Sequence, residues 1–186
     1  MAREARSKYA VLGALSIEPM SGYQIKELIS RTIGHFWTEG YGQIYPTLKQ
    51  LSAAGLVSSR VERGNGTPDR HVYTLTEAGS EELRDWLARP VDSYQPARSE
   101  LLLKLFFGRH AAAQTSVDHV RRHRELLVAM VAQYEAIEVE LNADSSPDQP
   151  YWLITLRHGL HAARASLAWS DETIARLSTL NEEDPS

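Results

Sequence analysis

The sequence predicts a mainly α-helical fold with one small β-hairpin, on the strength of three observations. Apolar residues recur every three or four positions along most of the 186 residues, the period of helices with one buried face. Only two short segments, residues 56–62 and 71–75, alternate instead, and the stretch between them is rich in turn-forming residues. A proline-marked stretch from Arg89 to Pro96 separates the half containing this hairpin from a remainder that is helical throughout.

The first helix is expected over residues 7–18, with Tyr9, Val11, Leu12, Leu15 and Ile17 as its apolar positions. It ends at Glu18, because the residue before Pro19 is pushed out of the α region. Ser21 and Gln24 then have the spacing of a capping box, in which each side chain satisfies a backbone group of the other residue. The second helix follows through Ile25, Leu28, Ile29 and about Thr32. A third is expected from about Gly42 to Ala54, with Pro46 tolerable near its first turn and Gly55 as its C′ residue.

Leu56 to Glu62 and His71 to Leu75 read as the two strands of a hairpin, and Thr76 caps a fourth helix through Leu83, Trp86 and Leu87. Three helices followed by a two-stranded ribbon is the order of a winged helix-turn-helix. Residues 1–90 are accordingly expected to form such a DNA-binding domain, 91–98 a linker, and 99–186 a helical dimerisation domain that is also a candidate to bind an effector.

Within that helical part a short helix covers Ser99 to Phe107, and a long one runs from about Thr115 to Asn142. The last helix is expected from about Pro150 to Leu180. Its Leu153, Leu156, Leu160, Ala163, Leu167, Ser170, Ile174 and Leu177 alternate spacings of three and four, which is a heptad seam. A heptad stripe packs equally well on a second chain or on a neighbouring helix of its own chain. The expectation adopted is dimerisation through Leu153, Leu156, Leu160, Leu167 and Ile174.

Bulk features exclude several classes. The absence of cysteine rules out disulfides, thiolate catalysis and cysteine-based zinc sites. The apolar stretch Tyr9 to Ile17 is too short to span a bilayer, so a cytoplasmic protein with no membrane partner is expected. There is no glycine-rich phosphate loop after a strand, no Gly-x-Ser-x-Gly elbow and no His-Glu-x-x-His, so no enzyme and no catalytic residue is predicted. His119 with His123, and His158 with His161, have helical spacing for metal binding. Arg121, Arg122 and Arg124 crowd the first pair and no acidic ligand accompanies the second, so no metal and no cofactor are expected.

Charge is unevenly spread. Residues 1–75 carry nine Lys and Arg against six Asp and Glu, while 76–186 carry eleven against eighteen. A basic first part on an acidic remainder suits phosphate contact by the former. On the third helix Gln43, Tyr45, Thr47 and Lys49 are polar at alternate positions, and Ile44, Leu48 and Leu51 form the docking stripe. Read alone, this is an ordinary amphipathic helix with a solvated polar face. In the context of the element order it is a helix presenting base-reading and phosphate-binding groups to a major groove. Arg63 and Arg70 flank the hairpin tip and suit phosphate or minor-groove contact, and Tyr23 adds a phenol at the start of the second helix.

The segments Ser21 to Glu27, Gly42 to Leu51, Gly55 to Val57 and Arg70 to Gly79 closely resemble the PadR family of bacterial transcriptional regulators. The specific signal is Ile44-Tyr45-Pro46-x-Leu48, then a wing, then Tyr73-x-Leu75-Thr76-x-x-Gly79. Lys104 to Gly108 and the long helices after it are similar to the longer-tailed subfamily. The resemblance implies a homodimer joined by its C-terminal helices, of a kind that usually represses promoters and releases operator DNA when a small, often aromatic, effector or a cellular signal arrives. It also implies DNA contacts from Tyr23, Gln43, Tyr45, Thr47, Lys49, Arg63 and Arg70. The wing departs from the family in that residues 64–69 carry no Lys or Arg. The alternative class is a helical homodimeric scaffold or a small-molecule-binding protein without DNA recognition. Trp152, Trp169, Tyr134 and Tyr151 are either pocket aromatics for such a molecule or helical core.

Overall fold

The structure is a computed structural model that describes residues 2–34, 36–37, 40–62, 70–91 and 98–183. The chain divides into two compact units, Met1–Tyr94 and Gln95–Ser186. Seven α-helices and one three-stranded antiparallel sheet are present among the described residues.

In the first unit the order is α1 (Ala2–Ile17), β1 (Met20–Ser21), α2 (Gly22–Thr32), α3 (Tyr41–Ala53), β2 (Val57–Glu62), β3 (Arg70–Leu75) and α4 (Glu77–Ala88). Helix α1 starts earlier than apolar periodicity indicates, because Ala2 to Arg6 are good helix formers. The hairpin gains a third strand: Met20 and Ser21 pair with Tyr73 and Val72 of β3, giving the order β1-β3-β2. Two residues are too few for alternation to register in a sequence.

The termini are closed as the sequence dictates. The Ser21 hydroxyl accepts from the Gln24 backbone N–H at 3.3 Å, and the Gln24 side-chain Oε1 accepts from the Ser21 backbone N–H at 2.9 Å. Helix α3 ends in a Schellman motif around Gly55 at φ +71°, where the Leu56 N–H donates to Leu51 O and the Gly55 N–H to Ser52 O. The Thr76 hydroxyl accepts from the Gly79 N–H and donates to Gly55 O, so one side chain caps α4 and ties it to the end of α3. The core joins Val11, Leu12 and Leu15 of α1, Ile25 and Ile29 of α2, Ile44, Leu48 and Leu51 of α3, Val57 of β2 and Leu83 of α4. At its edge, Trp86 of α4 stacks on Tyr9 of α1 at 4.4 Å, and Glu82 accepts from both Lys8 and the Tyr9 hydroxyl at 2.8 Å. Those two donors, Lys8 first, hold the Glu82 carboxyl below the usual carboxylate range.

The second unit contains α5 (Glu100–Phe106), a single 3-10 turn, α6 (Ala113–Asn142) and α7 (Gln149–Glu183). Helices α6 and α7 form an antiparallel hairpin, as the order of their ion pairs requires: Arg124 with Asp171, Glu135 with Arg164, Glu138 with Arg157. Here the heptad seam divides, and Leu156 and Leu160 are covered within the chain. Leu156 and Leu160 are each 2% exposed within one chain and pack with Tyr134, Val131, Ile137 and Leu141 of α6. Leu153, Leu167 and Ile174 are half-buried. The stripe therefore closes on α6 at its centre, because a six-residue connection holds the two helices together and makes intrachain packing the nearest use of an apolar face. Ser170, the polar member of the stripe, is fully buried and satisfied by donating to Ser166 O at 2.8 Å.

Candidate nucleic-acid interface

Helix α3 separates its residues cleanly by exposure. Ile44 and Leu48 are fully buried and Leu51 is 3% exposed, whereas Gln43, Tyr45, Pro46, Lys49 and Gln50 face solvent. Thr47 is the exception to the sequence expectation. At 6% exposure it lies in the core-facing stripe, so it is removed from the candidate DNA-reading face. The reason is the helical period: Thr47 follows Ile44 by three and precedes Leu51 by four, completing an i, i+3, i+4, i+7 set. Alternation of polar residues is a strand rule and does not mark the outer face of a helix. The same period shows what was missed, since Gln50 follows Gln43 by seven and shares its exposed side.

Pro46 is the sixth residue of α3, in its second turn. It removes the N–H that would pair with the Gly42 carbonyl, leaving that acceptor on the exposed side of the helix. The N-cap, Gly40, provides no side-chain cap, and its carbonyl takes the Gln43 and Ile44 N–H groups.

Tyr45 is half exposed, and its position depends on a residue of α2. A Cβ on Gly22 would lie 2.8 Å from Tyr45 Cε1 and 3.1 Å from Cζ, so the ring rests over the bare Cα of Gly22. Tyr23, the next residue, is 56% exposed. The start of α2 and the outer face of α3 thus form one surface carrying two phenols.

The wing joins this surface through the sheet. Ser21, the N-cap of α2, pairs with Val72 of β3, and Arg70 lies two residues earlier on that strand. At about 3.3 Å per residue this sets the Arg70 backbone roughly 7 Å along β3 from that pairing. Arg70 is exposed and occupied by Glu62: its Nε and Nη2 donate to Glu62 Oε2 at 2.9 and 2.7 Å. Arg60 Nη2 donates to Oε1 of the same carboxylate at 2.9 Å. These bonds, Arg70's first, hold the Glu62 carboxyl below its ordinary range. Neither Arg60 nor Glu62 was singled out from sequence; the signal was the hairpin register, which pairs Glu62 with Arg70. Arg63 lies outside the described residues.

In the second unit the four aromatics separate. Tyr134 is core, Tyr151 is 70% exposed, and Trp152 and Trp169 are half-buried, with Trp169 edge-on to His123 at 6.4 Å. Among the described residues no three His, Asp or Glu side chains are grouped to hold a metal ion, and no helix is long and apolar enough to cross a membrane.

Comparison with known proteins gives consistent matches over both units. Residues 11–85 match the Transcriptional regulator PadR-like family, and residues 97–178 match the Virulence activator alpha C-term family. The negative transcriptional regulator PadR of Bacillus subtilis is 30% identical over 176 residues, 91% of this chain and 96% of that one. The crystal structure of Bacillus subtilis PadR in complex with operator DNA superposes with a TM-score of 0.82 at 29% identity, covering 91% of this chain and 98% of the other. The same protein in complex with p-coumaric acid gives a TM-score of 0.76 at 29% identity, covering 92% and 98%. These relatives are transcriptional regulators, not enzymes.

Proposed function

Because the chain belongs to the PadR-like family of transcriptional regulators, we propose that it binds a specific duplex operator as a homodimer and represses transcription until a small aromatic effector releases it. The observation that supports this most directly is α3, which buries Ile44, Thr47, Leu48 and Leu51 and turns Gln43, Tyr45, Lys49 and Gln50 outward beside Tyr23. An amide pair on such a helix suits base edges, and Lys49 and Arg70 suit phosphates. Such a regulator acts in the cytoplasm, where its operator is.

Dimerisation belongs on this reading to the second unit, through apolar side chains its own fold leaves uncovered. Leu102, Leu103, Phe106 and Phe107 around α5 are 54–82% exposed, and Ile154 on α7 is 66% exposed. Exposed apolar groups on this scale are the usual mark of a protein interface. The half-buried Leu153, Leu167 and Ile174 are available at its margin. The solved complex of Bacillus subtilis PadR with p-coumaric acid supports an aromatic effector.

The test is fluorescence anisotropy with duplexes tiling the upstream region of the protein's own gene, at two salt concentrations. One tile bound tightly and with steep salt dependence supports the reading; uniform weak binding to all tiles and to genomic fragments rejects it. On the operator so found, Gln43→Ala should cost about 1–3 kcal/mol of discrimination at a single base pair. An equal loss on every sequence would make Gln43 a positioning residue instead. Gly22→Ala should weaken operator binding with little change in melting temperature, since the added methyl displaces the Tyr45 ring while alanine suits a helix. Unchanged affinity would show that the placement of Tyr45 does not matter to recognition.

A further inference from the structure

We propose that Glu62 is an electrostatic restraint on the wing, holding Arg60 and Arg70 on its carboxylate so that DNA phosphate must compete with it for both guanidinium groups. The proposal rests on the DNA-binding reading above. Both oxygens of Glu62 are engaged: Oε2 takes Nε and Nη2 of Arg70, and Oε1 takes Nη2 of Arg60. The register produces this grouping, because Glu62 sits directly opposite Arg70, and Arg60, two residues back, leaves β2 on the same side as Glu62. Two cations and one anion therefore present a net single positive charge at the root of the wing.

These pairs are exposed, with Arg60 and Arg70 side chains at 69% and 58%, so water and salt weaken them and they exchange readily. A guanidinium fork fits phosphate as it fits carboxylate, so phosphate can replace Glu62 on Arg70. The displaced carboxylate then stays beside the phosphate and repels it. Glu62 thus lowers the sequence-independent attraction of the wing for any duplex, and leaves discrimination to the α3 face.

The experiment compares wild type with Glu62→Gln by anisotropy on a mixed-sequence duplex lacking the operator, across a salt series. Glutamine keeps the shape and one acceptor oxygen but removes the charge. At low salt the variant should bind about two- to fivefold more tightly, and its dependence of log K on log salt should steepen by about one. The gain should vanish when Arg60 and Arg70 are both replaced by alanine. Affinity and slope equal to or below wild type would overturn the proposal, as would a gain that survives the double alanine change. If wild type shows no salt-dependent binding to this duplex or to any upstream tile, the DNA-binding reading fails first and the role of Glu62 falls with it.

Discussion

Replacing Gly79 with alanine should destabilise the first unit by about 2–3 kcal/mol, although alanine is the better helix former. Gly79 is the third residue of α4, and a Cβ there would lie 2.1 Å from the Leu56 carbonyl oxygen, 3.1 Å from its carbon and 2.8 Å from Leu75 Cδ1. A side-chain tip can rotate away from such an overlap; a backbone oxygen cannot. Leu56 is held on both sides, by the Schellman turn at Gly55 and by the start of β2, and its carbonyl already accepts the Thr76 N–H at 3.2 Å. Relief must come from moving α4 away from β2, which strains the Thr76 cap and exposes Leu83. The propensity gain of about 1 kcal/mol is smaller than the cost of that movement. Urea unfolding checks it: a midpoint at or above wild type would mean that α4 and β2 part without cost.

Leu160→Glu should unfold the α6–α7 hairpin, with a loss of about 3–5 kcal/mol, and should not yield folded monomers. Leu160 is buried against α6 of its own chain, so the carboxylate would enter an apolar cluster with Tyr134 and Leu156. Phe106→Glu is the contrasting change. Phe106 is 82% exposed in the single chain, so the charge costs nothing in the monomer and should act only on association. Size-exclusion chromatography and far-UV circular dichroism on the same samples separate the two. The expected result is lost helicity for Leu160→Glu and a helical, dissociated protein for Phe106→Glu. A well-folded monomeric Leu160→Glu would return the seam to the dimer interface.

Helix ends and their order were legible in the sequence because the groups that decide them are close together along the chain. Ser21 with Gln24, Thr76 with Gly79, and Gly55 after Ala54 each satisfy backbone groups within a few residues, so their chemistry is local and needs no knowledge of packing. The apolar stripes of α2 and α3 were legible for the same reason, since a helix's period places Ile44, Leu48 and Leu51 on one side whatever they touch. That period also carried Thr47 into the core. Its polarity points outward, but its position in the helical period decides its burial.

The sequence by itself determined a three-helix and hairpin unit joined to a helical unit, with α3 as the helix that offers Gln43, Tyr45 and Lys49. Tertiary structure alone decided three things. It covered the centre of the α7 stripe, Leu156 and Leu160, with α6 of the same chain, because an apolar face carries no mark of which partner will cover it. It joined Met20 and Ser21 to the sheet and so brought the start of α2 to the wing. And it set Glu62 on Arg70 and Arg60, since cross-strand neighbours follow from register, and register is a property of the folded pair.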